Sequence, residues 1–149
     1  MNKSRKIDIE IINQLFKNLN EVTGIENIAF HKFVDEELSP VHMMGTKTLK
    51  TEDWKEVHSK NPVRILENPV LKKVVKGEIV FINDTINDKE SSPEFKYFGI
   101  KSIAVFPLFK DSEVCGIIVI PSIGTKFEFC SEIIGKCKEL IESFNKNSM

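Results

Sequence analysis

The sequence predicts an α+β domain in which one antiparallel sheet of five or six strands lies between helical layers. Three observations support this fold class. Amphipathic helical stripes occur near both ends of the chain, strand-forming segments alternate with short helices between them, and two apolar strands flank a polar turn towards the carboxyl end. The chain has 149 residues, a length that suits one domain.

The first helix is expected within residues 1–23, because large apolar side chains recur there at three- and four-residue spacing until Gly24. A strand is expected within 25–34 and a second around Leu38–Met43, joined by a polar turn. Pro40 cannot donate a hydrogen bond to a sheet, so it favours an edge position or a bulge for the second strand.

Short helices and connections fill the middle of the chain. One helix is expected over Glu52–Ser59, and another starts at Asn68-Pro69, where asparagine suits the N-cap and proline suits the first helical position. Gly77 ends that helix, and a strand is expected over Glu78–Asn83. A further short helix is expected to begin at Ser92-Pro93.

The two most strongly marked strands, Ser102–Phe109 and Val114–Ile120, predict an antiparallel hairpin. Neither strand alternates between apolar and polar residues, which indicates that both faces of the sheet are covered. A C-terminal amphipathic helix is expected over 131–146. We therefore expect a single domain over 1–149, with its sheet and intervening helices in 25–121.

The overall composition excludes several classes of protein. The chain has 21 Lys and Arg against 22 Asp and Glu, so there is no basic footprint for nucleic acid. Its apolar stretches are far shorter than the roughly 20 residues that cross a bilayer, and no signal peptide precedes the first helix. Three cysteines without a CxxC pair fit reduced thiols. We expect a cytoplasmic protein that binds neither membranes nor nucleic acid.

The stretch from Asn68 to Ile141 resembles the second half of a GAF domain. Its core reads GIKSIAVFPL over 99–108 and EVCGIIVI over 113–120, and the first half of the chain follows the same order of helix and hairpin. The resemblance implies a PAS/GAF-type sheet with one face on the terminal helices. The opposite face then encloses a pocket for a small molecule.

The resemblance also implies a non-catalytic role in signal transduction, as a regulatory sensor or dimerisation module that acts on another signalling protein. Within this family, cyclic-nucleotide domains carry an Asn-Lys…Phe…Asp-Glu motif, which this chain lacks around Thr125-Lys126. No cofactor is identified. The alternative is a small redox enzyme of the free methionine sulfoxide reductase type, or a thiol-based redox sensor, acting through Cys115 or Cys130. Such a reductase needs further cysteines in the middle of the chain, and none precedes Cys115.

Candidate pocket residues come from the elements that match the family pattern. Ser102, Ala104 and Phe106 share one face of a strand by parity, and Ser102 and Asn83 can offer hydrogen bonds. The alternative is that the aromatic residues only fill the core. The complete candidate set is Phe81, Asn83, Phe95, Tyr97, Phe98, Ser102, Ala104 and Phe106.

Two histidines form a candidate pair in the first hairpin. If the chain turns at Glu36-Glu37, His31 lies opposite His42, and two neighbouring imidazoles can bind a metal or respond to pH. The alternative is an ordinary pair at the edge of the sheet.

The terminal helices carry broad apolar stripes that one sheet face need not cover completely. We therefore expect a homodimer through these helices, with complete burial inside one chain as the alternative. The candidate interface residues are Ile9, Ile12, Phe16, Leu140, Ile141 and Phe144.

Overall fold

One antiparallel sheet with helices on both faces organises the chain, of which the computed structural model describes residues 9–44, 55–56, 63–89, 95 and 99–148. Its strands are ordered β2-β1-β5-β4-β3, which confirms the predicted fold class. The elements are α1 (Ile9–Thr23), β1 (Ala29–Val34), β2 (Glu37–Met43), a 3-10 turn (Ile65–Glu67), α2 (Pro69–Val74), β3 (Val80–Ile82), β4 (Ile100–Lys110), β5 (Glu113–Ile123) and α3 (Ser131–Ser148).

The two short helices predicted over Glu52–Ser59 and from Ser92-Pro93 lie mostly outside the described residues. Lys55, Glu56 and Phe95 are helical. Within the described part of the chain, no helix combines the length and apolar character needed to cross a membrane.

The terminal helices cover one face of the sheet. The stripe of α1 that includes Ile12 and Phe16 is buried against α3 and the strands. From the sheet, Phe106 on β4 and Ile118 on β5 enter the same cluster and lie directly opposite each other in register. This layer is the larger core of the molecule.

The opposite face is covered by α2 and the 3-10 turn. The predicted N-cap of α2 is confirmed, because Asn68 Oδ1 accepts hydrogen bonds from the backbone N–H of Val70 (2.9 Å) and of Leu71 (3.1 Å). This cap turns the apolar side of α2 towards Ile103 and Val105 of β4. All residues over 102–108 are buried, which confirms that both sheet faces are covered.

A tight turn sets the register of the first hairpin. Asp35 and Glu36 both have positive φ angles of 49° and 67°, and Val34 pairs with Glu37. This two-residue turn has the backbone twist that antiparallel hairpins favour. Pro40 lies on an edge strand beside an irregularity in the ladder, as its chemistry predicts.

Candidate functional site

A cavity of about 70 Å³ lies between the sheet and α2. Because a buried water needs at least about 10–15 Å³ of such space, the cavity is large enough for several waters or a small organic group. Its lining residues are Asn27, Ala29, His31, Leu38, Met43, Asn68, Val70, Leu71, Phe95, Ile100, Ile103, Val105, Ile117, Val119, Pro121 and Ile123. A second concavity of about 180 Å³ lies between β4 and α3, and its lining includes the charged residues Lys138, Glu142 and Lys146.

Strand parity builds the floor of the cavity. Ala29 on β1 and Val105 on β4 both pair with Val119 on β5, so the three side chains point to the same face. The next position along β1 and β5 on that face pairs His31 with Ile117. Small and β-branched side chains therefore form a smooth apolar floor.

The lining is almost entirely apolar. Its polar members are Asn27, His31 and Asn68, and the Asn68 side-chain oxygen Oδ1 already caps α2. His31 is only 3% exposed. None of the described lining residues is an aspartate, glutamate, lysine or arginine. The described walls can hold an apolar group, and among them the His31 imidazole is the one titratable side chain.

The predicted pocket residues divide between three places. Phe95 lines the cavity. Ala104 and Phe106 do share one strand face, but that face packs on the terminal helices, and the cavity lies on the other face of β4. Tyr97 and Phe98 lie outside the described residues.

Phe81 also lies on the face of the terminal helices, since it pairs directly with Ala104. On the short edge strand β3 it remains 44% exposed. Strand alternation correctly predicted that Ala104 and Phe106 share one face. It could not predict whether that face packs on the terminal helices or lines the cavity. The sequence carries no clear signal for the correct face, because the two polar residues of β1, His31 and Lys32, are adjacent and so lie on opposite faces.

Asn83 and Ser102 lie close together, as predicted for pocket residues. Their side chains bind the backbone of the segment before α3, and neither lines the cavity. The Ser102 hydroxyl donates to the Asn83 carbonyl oxygen (2.8 Å) and accepts from the Phe127 backbone N–H (2.8 Å). Asn83 Oδ1 accepts from the Phe129 N–H (2.8 Å), and Asn83 Nδ2 donates to the Phe129 carbonyl oxygen (3.4 Å). We call these contacts the latch, because they tie the segment before α3 to the sheet.

An ion pair extends the latch at the surface. Lys126 Nζ lies 3.0 Å from Asp84 Oδ2. Hydrogen bonds from Asn87 and then Lys126 hold the pKa of the Asp84 carboxyl below its ordinary value. Because Asp84 and Lys126 are solvated, the pair orients this segment more than it stabilises it.

The predicted histidine pair is wrong, because the turn and the bulge change the register. His31 lies opposite Pro40 and His42 lies opposite Phe30, which places the two imidazoles on opposite faces. His42 stacks on Phe16 with ring centroids 5.9 Å apart, and its Nε2–H donates to Asn13 Oδ1 at 2.9 Å. Burial, and then the charge of Lys55, lower the pKa of His42.

None of the three cysteines is among the cavity-lining residues. Burial raises the pKa of Cys137 to about 11 and also raises that of half-buried Cys115, and a raised pKa lowers the fraction of reactive thiolate. Cys130 is exposed at the start of α3. Among the described residues, no three histidine, cysteine or acidic side chains are grouped so that they could hold a metal.

Most of the candidate dimer residues are buried inside the chain itself. Ile12, Phe16, Ile141 and Phe144 belong to the core between the sheet and the terminal helices. Leu140 is partly buried against that core, and Ile9 is 44% exposed. The stripes thus serve mainly to close one face of the protomer.

Comparisons with known proteins bear on the fold. No family model and no curated protein matches the sequence. Among solved structures, the chain is similar to a GAF domain/HD domain protein from Geobacter sulfurreducens, with a TM-score of 0.75, 16% identity, and coverage of 92% of this chain and 88% of that one.

Two further structures have the same architecture. One is the blue-light absorbing form of the PixJ GAF domain from Thermosynechococcus elongatus, with a TM-score of 0.74, 12% identity and coverage of 93% and 82%. The other is the GAF domain of a two-component sensor histidine kinase from Bacillus halodurans, with a TM-score of 0.68, 15% identity and coverage of 93% of both chains. At these identities the likeness concerns the fold, and the chain has a GAF-like fold.

Proposed function

We propose that this chain is a non-catalytic sensor module that binds a small molecule in the cavity between the sheet and α2. The observation that carries the proposal is this apolar cavity, on the sheet face opposite the terminal helices. The names of similar structures, a sensor histidine kinase GAF domain and a light-absorbing one, support a sensor role for the fold.

The signal would pass through the strands that separate the cavity from the terminal helices. On β4, Val105 lines the cavity while its neighbour Phe106 packs in the helical core. At the end of β5, Ile123 lines the cavity, and the Gly124 N–H donates to the Gly99 carbonyl oxygen at 2.9 Å. The latch then leads to α3.

A ligand can shift this structure only if it binds one packing arrangement better than another. A ligand that fills the cavity would favour one spacing between α2 and the sheet. The resulting displacement of β4 and β5 would change how α3 is presented. The recipient of the signal would be another signalling protein that recognises the terminal helices.

The test is a measurement of thermal unfolding with a panel of cyclic nucleotides, aromatic amino acids, indoles and short-chain fatty acids. A compound at about 100 times its dissociation constant stabilises the folded state by about 2.7 kcal/mol, so a rise of several degrees is expected for a true ligand. Ala29→Leu fills the cavity floor and should abolish the rise. Val34→Leu, on the exposed end of the same strand, is the matched control and should retain it.

Two results would count against the proposal. One is a melting temperature that no compound raises. The other is a rise that is the same in wild type and Ala29→Leu, since such binding would occur outside the cavity.

We also propose that two copies of the chain associate through their terminal helices. The support is narrower than the sequence implied, because the central stripe is buried within one protomer. Ile9 and Ile11 are 44% and 45% exposed on the two flanks of that stripe, and burying either flank against a second copy would remove apolar surface from water.

A further inference from the structure

We infer that the cavity selects an electrically neutral, mostly apolar molecule, with the bulk of a single ring or short alkyl chain and one hydrogen-bonding group directed to His31. This inference rests on the proposed function and specifies the chemical class of its ligand. It separates the site from one built for phosphates, carboxylates or ammonium groups.

The charge of the cavity lining favours an uncharged ligand. The cavity floor consists of Ala29, Ile103, Val105, Ile117 and Val119, and the apolar face of α2 lies above it. No described lining residue is a lysine, arginine, aspartate or glutamate that could neutralise an ionised ligand. An ion that enters such a site loses its hydration without a compensating partner. The part of the ligand inside the cavity is therefore uncharged.

The placement of His31 favours a ligand with one hydrogen-bonding group. It is almost completely buried on a central strand, between β2 and β5, and it lies beside the irregularity in the β1–β2 ladder. Such irregularities re-aim side chains. His31 stands among apolar lining residues and can offer a ring nitrogen as a donor or an acceptor, so it orients a ligand that carries one hydroxyl, carbonyl or ring N–H.

The volume of the cavity limits the size of the ligand. At about 70 Å³, several times the roughly 10–15 Å³ that one water needs, the cavity accommodates the bulk of one small ring. A compact apolar body suits this volume better than a branched polar one.

Three probes with one shared ring test the charge selectivity: benzyl alcohol, benzoate and benzylamine. Titrations at pH 8 are followed by methyl and amide NMR of isotope-labelled protein, because that pH lies above the ordinary histidine pKa of about 6.5. Benzyl alcohol should shift the signals of Val105, Ile117 and Val119 with at least tenfold higher affinity than either ion. A tenfold ratio corresponds to about 1.4 kcal/mol.

Toluene, which lacks only the hydroxyl group, tests the role of His31. Wild type should bind benzyl alcohol better than toluene by about fivefold, the scale of one net hydrogen bond. His31→Leu should lose this preference. His31→Gln should retain part of it, and this second variant keeps the test valid if His31→Leu does not fold. His42→Leu is the matched control, since His42 lies on the other face of the same hairpin.

The outcomes are distinguishable. Benzoate or benzylamine binding in the cavity as tightly as benzyl alcohol overturns the inference and leaves the proposed function standing. Equal affinity for toluene and benzyl alcohol in wild type overturns the role of His31. If no probe shifts the cavity signals, the inference fails, whereas the proposed function fails only if no compound of the wider panel raises the melting temperature.

Discussion

At the scale of single residues, the two histidines of the first hairpin show how register decides chemistry. Both look similar in the sequence, yet His31 lines the cavity and His42 stacks on Phe16 in the other layer. The difference arises from a turn one residue earlier than expected and from the irregularity beside His31. A one-residue change in register moves a side chain to the other face of a sheet.

The lowered pKa of His42 predicts a pH dependence of stability. Its ordinary pKa is 6.5, so above that pH the imidazole is neutral in both the folded and unfolded states. As the pH falls through 6.5, the unfolded state binds the proton first, and the free energy of unfolding decreases until the folded pKa is passed. His42→Gln should remove this component.

Urea unfolding at pH 8 and at pH 5.5 measures the effect. Wild type should lose more stability between these two values than His42→Gln does, because the variant has no imidazole to protonate at this position. Parallel losses in the two proteins would contradict the prediction.

At the scale of elements, the latch holds the segment before α3 as if it were a short additional strand. The Asn83 side chain satisfies both the N–H and the carbonyl oxygen of Phe129, while Ser102 bonds to Phe127. Phe129 itself is fully buried in the core of the terminal helices. Asn83 and Ser102, which were predicted from the sequence to form hydrogen bonds with a ligand, thus position α3.

Asn83→Ala should destabilise the protein by about 1–3 kcal/mol, because it leaves the Phe129 backbone without its side-chain partners. Asn87→Ala, a nearby substitution at an exposed asparagine, should cost less than about 0.5 kcal/mol. Denaturant unfolding of the two variants gives the comparison. Equal stabilities would mean that the latch contributes nothing.

The hairpin turns are the elements with unfavourable local conformations. Glu36 and Ser112 have φ angles of 67° and 70°, a region where a Cβ is costly and glycine is not. Glu36→Gly and Ser112→Gly should each raise the free energy of unfolding by about 0.5–1 kcal/mol. Lys32→Gly, inside β1, should lower it. Lower stability in both turn variants would argue against this backbone conformation.

At the scale of the whole molecule, the sheet separates two helical layers that pack against it differently. The layer of α1 and α3 contains the larger apolar core, with a concavity between β4 and α3, and the layer of α2 leaves an apolar cavity against the same strands. Each central strand therefore contacts both layers through alternate residues. In the proposed function, this arrangement would give a ligand bound on one face a direct physical route to the helices on the other.

The proposed homodimer is tested at this scale by the molar mass in solution across a range of protein concentrations. Ile9→Glu places a charge on one exposed flank of α1 and should shift the equilibrium towards monomer at least tenfold, and Ile11→Glu does the same for the other flank. Lys17→Glu, an exposed position on the same helix, is the control and should leave association unchanged. A wild type that is monomeric at all concentrations would contradict the proposal.

Local propensity and apolar periodicity were enough to predict the fold class, the α2 cap, the edge position of Pro40 and the double coverage of the sheet. The tertiary structure decided which face holds the cavity, where the two histidines lie and what Asn83 and Ser102 bind. The physical reason is the two-residue period of a strand. When both faces are apolar, parity groups residues correctly, but only the packing of the helices and the register of the turns tell one face from the other.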